Sequence, residues 1–245
     1  ELRLGSEAAA AFINAELGGV EGRPIEIVPC IATFSVEQSQ SCAQRFAQDP
    51  EIVAVLGGID LTSNGSVPIL EQNELAYVGG IPVNFAEMQS DVSFQFSGGS
   101  PGAMAARAWH AAEVLDAKRV VIAYGEYDPI TAAAELGKEV AESLGVDRVD
   151  MVGFPIVATD FLPTLTKIKE LEPDAVLVGA ADTACAPFMK GAYELGIDAQ
   201  RYLTGACAAP PISDDVGTEA VEGRIFNIES PIDAEDSDGL MYFEA

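Results

Sequence analysis

The sequence predicts an α/β protein built from two parallel, doubly wound sheets. Three observations lead there. Helical and strand-like hydrophobic periodicities alternate almost throughout the chain. Several strand segments are continuously apolar, as parallel strands buried on both faces are. A breaker cluster, Ser97-Gly98-Gly99-Ser100-Pro101-Gly102, divides the repeating units into two blocks. Repeated strand–helix units with short connections place helices on both faces of parallel sheets.

In the first block, residues 6–17 read as a helix with Ala9, Phe12, Ile13 and Leu17 on one face. Gly18-Gly19 stops it. Pro24 to Val28 reads as a strand. Ser35 and Gln38 have capping-box spacing at the start of the next helix, which turns Cys42, Phe46 and Ala47 inward. Ile52 to Leu56 is a continuous apolar strand that runs into Gly57-Gly58 and Asp60-Leu61-Thr62-Ser63-Asn64. A helix to about Asn73 follows, then strands at Ala76 to Val78 and Val92 to Phe96.

In the second block, a helix is expected near 103–115 and a strand at Arg119 to Tyr124. Helices near 131–144, 160–171 and 184–195 alternate with strands near 149–154 and at Ala175 to Val178. Strands at Arg201 to Thr204 and Arg224 to Ile228 complete the set. No strand is read before the first helix, and Leu240 to Ala245 look like the opening turns of another. The expectation is therefore an internal piece of a longer protein, truncated at both termini.

Composition narrows the function. The 245 residues are 49% hydrophobic, ample for one or two cores, and no apolar run is long enough to cross a membrane as a helix. Asp and Glu number 39 against 13 Lys and Arg, a net charge of −26 spread along the chain. Such a surface repels phosphate backbones, so nucleic acid is a poor partner. The four cysteines, Cys30, Cys42, Cys185 and Cys207, include no C-x-x-C pair, and His110 is the only histidine. That spacing argues against structural zinc and leaves two disulfides or four buried thiols.

Catalytic signatures are missing. There is no G-x-G-x-x-G, no G-x-x-x-x-G-K-[ST] and no G-x-S-x-G. His110 lies mid-helix beside Trp109 with no nucleophile near it in sequence, which fits a surface or packing role. The reading is a protein that is not an enzyme and uses no cofactor or metal. In doubly wound sheets, ligands sit at the carboxyl ends of the strands. Here those ends carry the loops 57–63, 79–84, 124–131, 179–183 and 205–211. Thr62 and Ser63 stand at a helix start, where free backbone N–H groups favour anions and hydroxyls add donors; plain N-capping is the alternative there.

The run Phe12-Ile13-Asn14-Ala15-Glu16-Leu17-Gly18-Gly19-Val20-Glu21-Gly22-Arg23-Pro24-Ile25-Glu26 resembles the first helix and second strand of type I periplasmic binding proteins. Within them it is similar to the branched-chain amino acid (Leu/Ile/Val-binding) family of ABC transporter substrate-binding proteins. Asp160-Phe161, Leu165, Ile168-Lys169, Pro173-Asp174-Ala175-Val176 and Gly191-Ala192-Tyr193-Glu194-Leu195-Gly196 resemble that family's second lobe. The resemblance spans essentially the whole chain in order.

It implies two Rossmann-like lobes with the ligand between them. Residues 1–98 would form lobe 1, lacking its first strand. Residues 99–228 would form lobe 2, and 229–245 would return to lobe 1, with hinges near Gly98-Gly99 and Ser230-Pro231. It implies a ligand carboxylate at Leu61, Thr62 and Ser63, with Ile81, Pro82 and Asn84 on the same rim. It brings Tyr127, Ala181, Asp182 and Cys207 from the second lobe. Relatives carry a hydroxyl residue at the position of Asn84 and an acidic one at that of Cys207, so the expected solute is a small carboxylate or amide rather than a standard amino acid. The implied protein is extracytoplasmic and monomeric and serves an ABC permease. The alternative is a ligand-sensing receptor or regulator domain of the same fold. Pairings Cys30–Cys42 and Cys185–Cys207 are expected, because each joins a strand end to a nearby helix and neither ties one lobe to the other.

Overall fold

The computed structural model describes residues 2–32 and 35–228. It begins with α1 (Leu2–Glu16), which ends where Gly18 and Gly19 take φ of 73° and 79°. α2 (Val36–Gln48) is capped by Ser35, whose side chain accepts from the Gln38 N–H. Then come β1 (Val55–Leu56), α3 (Ser63–Gln72), β2 (Tyr77–Val78), α4 (Phe85–Gln89) and β3 (Ser93–Phe94). These strands form a parallel sheet in the order β1-β2-β3. Leu70, Leu75, Tyr77 and Ala43 are its buried core.

α5 (Gly99–Glu113) leads into the second block. It continues with β4 (Arg119–Glu126), α6 (Asp128–Ser143), β5 (Arg148–Pro155), α7 (Leu162–Glu170) and β6 (Ala175–Gly179). α8 (Cys185–Glu194), β7 (Gln200–Leu203), α9 (Pro210–Val216), α10 (Thr218–Val221) and β8 (Ile225–Phe226) follow. The sheet is parallel throughout, in the order β5-β4-β6-β7-β8. Strand order reverses between β4 and β6, and in such sheets the crevice for a ligand opens at that switch point, beyond the carboxyl ends.

Alternation along the strands feeds two cores. Val121, Ala123, Val176, Val178 and Leu203 face α7 and α8, where Leu165, Ile168, Phe188 and Met189 meet them. Val120, Ile122, Ala175, Leu177 and Tyr202 face α5 and α6. Those helices offer Ala108, Ala111, Ala133, Ala134 and Ala141, small enough to let the backbones approach closely. Every residue of β6 is buried. Burial of a side chain such as Leu177 contributes about 1.5–3 kcal/mol.

Three sequence expectations change. Pro24 to Val28 joins no ladder among the described residues. A strand needs a neighbour, and none of the described strands lies alongside. Both functions of the Asn14 side-chain amide hold the extended segment instead, donating to the Ile25 carbonyl at 2.8 Å and accepting its N–H at 2.7 Å. The strand expected over Ile52 to Leu56 shrinks to its last two residues, and Val53 is 88% exposed. β1 has β2 on one side and no described strand on the other. The breaker cluster is in part helical, since α5 starts at Gly99 with φ 54°. A Cβ there would lie 1.8 Å from the Pro82 carbonyl oxygen, so glycine lets the chain pass against that loop. The short helices α4, α9 and α10 were not read from the sequence. Residues 229–245, where the return to lobe 1, the Ser230-Pro231 hinge and the helix start at Leu240 to Ala245 are expected, lie outside the described residues.

Candidate functional site

The carboxyl ends of the two sheets meet. Tyr127, the residue before α6, donates its hydroxyl to the carbonyl of Leu61, in the turn before α3, at 3.3 Å. Tyr127 follows β4 directly and so stands at the switch point of the second sheet. Burial chiefly, and then the charges of Asp128 and Asp60, push its phenol above the ordinary value.

On the first side, the turn before α3 is organised by Asp60. One carboxylate oxygen accepts the Thr62 N–H at 2.9 Å and the Thr62 hydroxyl at 2.8 Å. The other accepts Ser39 Oγ at 2.6 Å and Ser66 Oγ at 3.2 Å. An anion at a helix start complements the N-terminal dipole. Here that anion belongs to the chain itself. Thr62 and Ser63 are buried, and the Thr62 hydroxyl is engaged by Asp60.

The loop after β2 is fixed to this turn. Asn84 Nδ2 donates to Ser63 Oγ at 2.8 Å. Asn84 also opens α4 in a capping box with Glu87. Glu87 is 1% exposed, and one of its oxygens accepts the Val83 and Asn84 N–H groups at 2.7 and 3.0 Å. Its other oxygen accepts the Tyr77 hydroxyl at 3.1 Å. Burial pushes the Glu87 carboxyl up, against the opposing pull of these hydrogen bonds. Burial and the neighbouring Glu87 carboxylate push the Tyr77 phenol up. Pro82 is buried, and its carbonyl accepts the Ser100 N–H at 2.9 Å, tying the loop to the start of α5.

On the second side, Ala181 precedes a single 3-10 turn over Asp182–Ala184. Asp182 is exposed and caps the Thr183 N–H at 2.8 Å. Cys207 is buried in a second 3-10 turn, Gly205–Ala208, and is bonded to Cys185 at the start of α8, with Cα atoms 5.1 Å apart. Thr204 Oγ1 lies 3.3 Å from the Cys207 sulfur. The bridge therefore clips the turn after β7 to the helix after β6. A second bridge joins Cys30 to Cys42, Cα atoms 5.8 Å apart, and holds the extended segment against α2.

The structure thus gathers the sequence-selected residues into two groups. Leu61, Thr62, Ser63, Pro82 and Asn84 form one connected rim, and Leu61 meets Tyr127 across the gap. Ala181, Asp182 and Cys207 line the carboxyl edge of the second sheet and make no hydrogen bond to the first rim among the described residues. Sequence reading missed Ser39, Ser66 and Glu87. Only Glu87 had a signal, the Asn84-x-x-Glu87 capping spacing.

The sequence profile of the periplasmic binding protein family matches residues 1–243. No curated protein sequence matches the chain. Among solved structures, a leucine-binding protein from Thermotoga maritima superposes with a TM-score of 0.81 at 23% identity, over 98% of this chain and 69% of that one. The branched-chain amino acid transporter substrate-binding protein of Streptococcus pneumoniae, in complex with isoleucine, gives 0.78 at 18% identity over the same shares. A solute-binding protein of an ABC transporter from Rhodopseudomonas palustris, in complex with p-hydroxybenzoic acid, gives 0.82 at 19% identity, over 98% of this chain and 67% of that one.

Proposed function

The chain belongs to the periplasmic binding protein family, and from that premise we propose that it is the extracytoplasmic solute-binding protein of an ABC importer. On this reading it captures a small solute between lobes 1–98 and 99–228, delivers it to a membrane permease and does no chemistry on it. The observation that carries the reading is the Tyr127–Leu61 hydrogen bond. It brings the switch point of one sheet against the helix start of the other, so a solute held there touches both bodies at once. Binding that requires both bodies is what draws two lobes together, because a ligand shifts a conformational balance only by its differential affinity.

The same bond supports a reading of the solute class. A molecule entering between the two groups replaces it, and must donate to the Leu61 carbonyl and accept from the Tyr127 hydroxyl. A small amide or an amino-acid-like carboxylate offers both functions. Isoleucine and p-hydroxybenzoic acid, the solutes held by two of the similar structures, both carry a carboxylate. No Lys, Arg or His occurs in the loops 57–63, 79–84, 124–131 or 179–183, so neutral donors would receive the anionic end. The Thr62 N–H and hydroxyl and the Ser63 N–H are already engaged by Asp60, which leaves the Leu61 and Asn64 amides and Tyr127 Oη as those donors.

Mass spectrometry of small molecules carried through purification of the full-length protein, followed by calorimetry, tests this. Micromolar binding of a carboxylate or amide, weakened in Tyr127→Phe, is expected. Binding of a purely apolar or cationic solute, or binding indifferent to Tyr127, would overturn the solute class.

A further inference from the structure

The amino ends of the five-stranded sheet, opposite the cleft, hold two guanidinium groups that solute capture does not use. Arg201 lies on β7 and is 1% exposed. Parallel register pairs Tyr202 with Ile225, so Arg201 and Arg224, each one residue earlier, come side by side at the sheet edge. Arg201 Nη1 donates to the Ile197 carbonyl at 3.2 Å. Among the described residues, its Nε and Nη2 are buried with no acceptor, and so is Nε of Arg224. Nε and Nη2 form one edge of the guanidinium plane, the fork with which arginine grips an anion side-on.

No described carboxylate is in contact with the pair. No ion pair joins either arginine to a carboxylate among the described residues. Asp198 is near enough to favour the charged form of both, yet it is exposed and bonds to neither. Burial first, and then the charge of Arg224, push the Arg201 guanidinium down to about 10, so it remains a cation at neutral pH. Adjacent like charges on paired strands repel. A buried cation with no counter-charge in contact is unfavourable.

We propose that Arg201 and Arg224 form a binding site for a small monatomic anion, of which chloride is the probe. The free nitrogens are closed off from solvent, but Arg224 is only partly buried and sits on the lip of the sheet. It follows Gly223, at φ 73°, and precedes the two-residue edge strand β8. In this proposal an outward rotation of the Arg224 side chain makes room for the ion beside the Arg201 guanidinium. A spherical ion accepts from several converging N–H groups without preferred directions and enters through the gap left by one side chain. A tetrahedral oxyanion needs more room.

The test uses the full chain in sodium chloride and in sodium gluconate at equal ionic strength. The wild type is expected to melt about 2–6 °C higher in chloride, saturably, and to broaden the 35Cl resonance of the solution. Arg224→Met, at the partly exposed lip, should fold normally and lose both effects; Arg201→Met should lose them as well. Superimposed melting curves in the two salts with a narrow 35Cl line would overturn the proposal. So would a chloride effect that survives in both variants, or one that sulfate reproduces at the same concentration.

Discussion

Tyr127 and Leu61 join the two sheets directly, the phenol hydroxyl donating to the backbone carbonyl at 3.3 Å. If the two lobes open and close as proposed, this bond favours the closed state. Tyr127→Phe removes the donor and keeps the ring. A neutral hydrogen bond contributes about 0.5–1.5 kcal/mol net, so the closed-to-open ratio should fall about 2- to 12-fold. Small-angle scattering of the solute-free protein should show a larger radius of gyration for the variant. Identical profiles would mean that the bond does not govern the balance.

Glu87 should matter to the rim without touching a solute. Glu87→Ala leaves the buried Val83 and Asn84 N–H groups without their acceptor, a loss of about 2–5 kcal/mol. Glu87→Gln keeps an acceptor for both and can donate to Tyr77 Oη, so it should lose far less. Urea titrations of both variants decide this.

The same residue gives stability a pH dependence. Burial raises the Glu87 carboxyl in the folded state above its ordinary 4.5. As pH rises past 4.5 the unfolded chain ionises first, so this group's contribution to stability declines until the raised folded value is passed, and is flat beyond. Glu87→Gln lacks that decline. The stability difference, wild type minus variant, should therefore fall with pH just above 4.5 and then level off. A difference that rises across this window would show that the hydrogen bonds outweigh burial.

The two disulfides should separate stability from binding. Each closes a short loop, and its loss should cost about 2–4 kcal/mol. Replacing Cys185 and Cys207 by serine frees the turn after β7 from α8, so solute affinity should drop as well. Replacing Cys30 and Cys42 should lower the melting temperature and leave affinity nearly unchanged. Calorimetry on both double variants reads the two effects apart.

Gly99→Ala should be poorly tolerated. The backbone sits at φ 54°, and the added carbon would meet the Pro82 carbonyl oxygen at 1.8 Å. Left-handed strain alone costs about 1–3 kcal/mol, and relief of the clash must shift the Pro82–Asn84 rim. Both the melting temperature and solute affinity are expected to fall. A variant as stable as the wild type would show that the α5 start can move freely.

The second sheet was legible in the sequence because its signals are local. Val120 to Ala123 and Ala175 to Val178 are apolar runs of strand length, the second bounded by Pro173-Asp174 and Gly179. Pro24 to Val28 also reads as a strand, but a ladder depends on a neighbour, and its own residues say nothing about that. The helices α4, α9 and α10 are too short to show a period. At the site, helix-start spacing marked Thr62 and Ser63. Which way the Thr62 hydroxyl turns depends on Asp60, and Asp60 in turn is held by Ser39, 21 residues away. No short window contains that relationship.

The Asp60 network has a consequence for biosynthesis. A cavity that leaves buried donors waiting for cargo makes folding hostage to the cargo's concentration. Here the donors around the α3 start already have an acceptor supplied by the chain. If the protein captures a solute as proposed, this turn folds without waiting for it, and the solute's arrival exchanges hydrogen bonds rather than completing an unfinished fold.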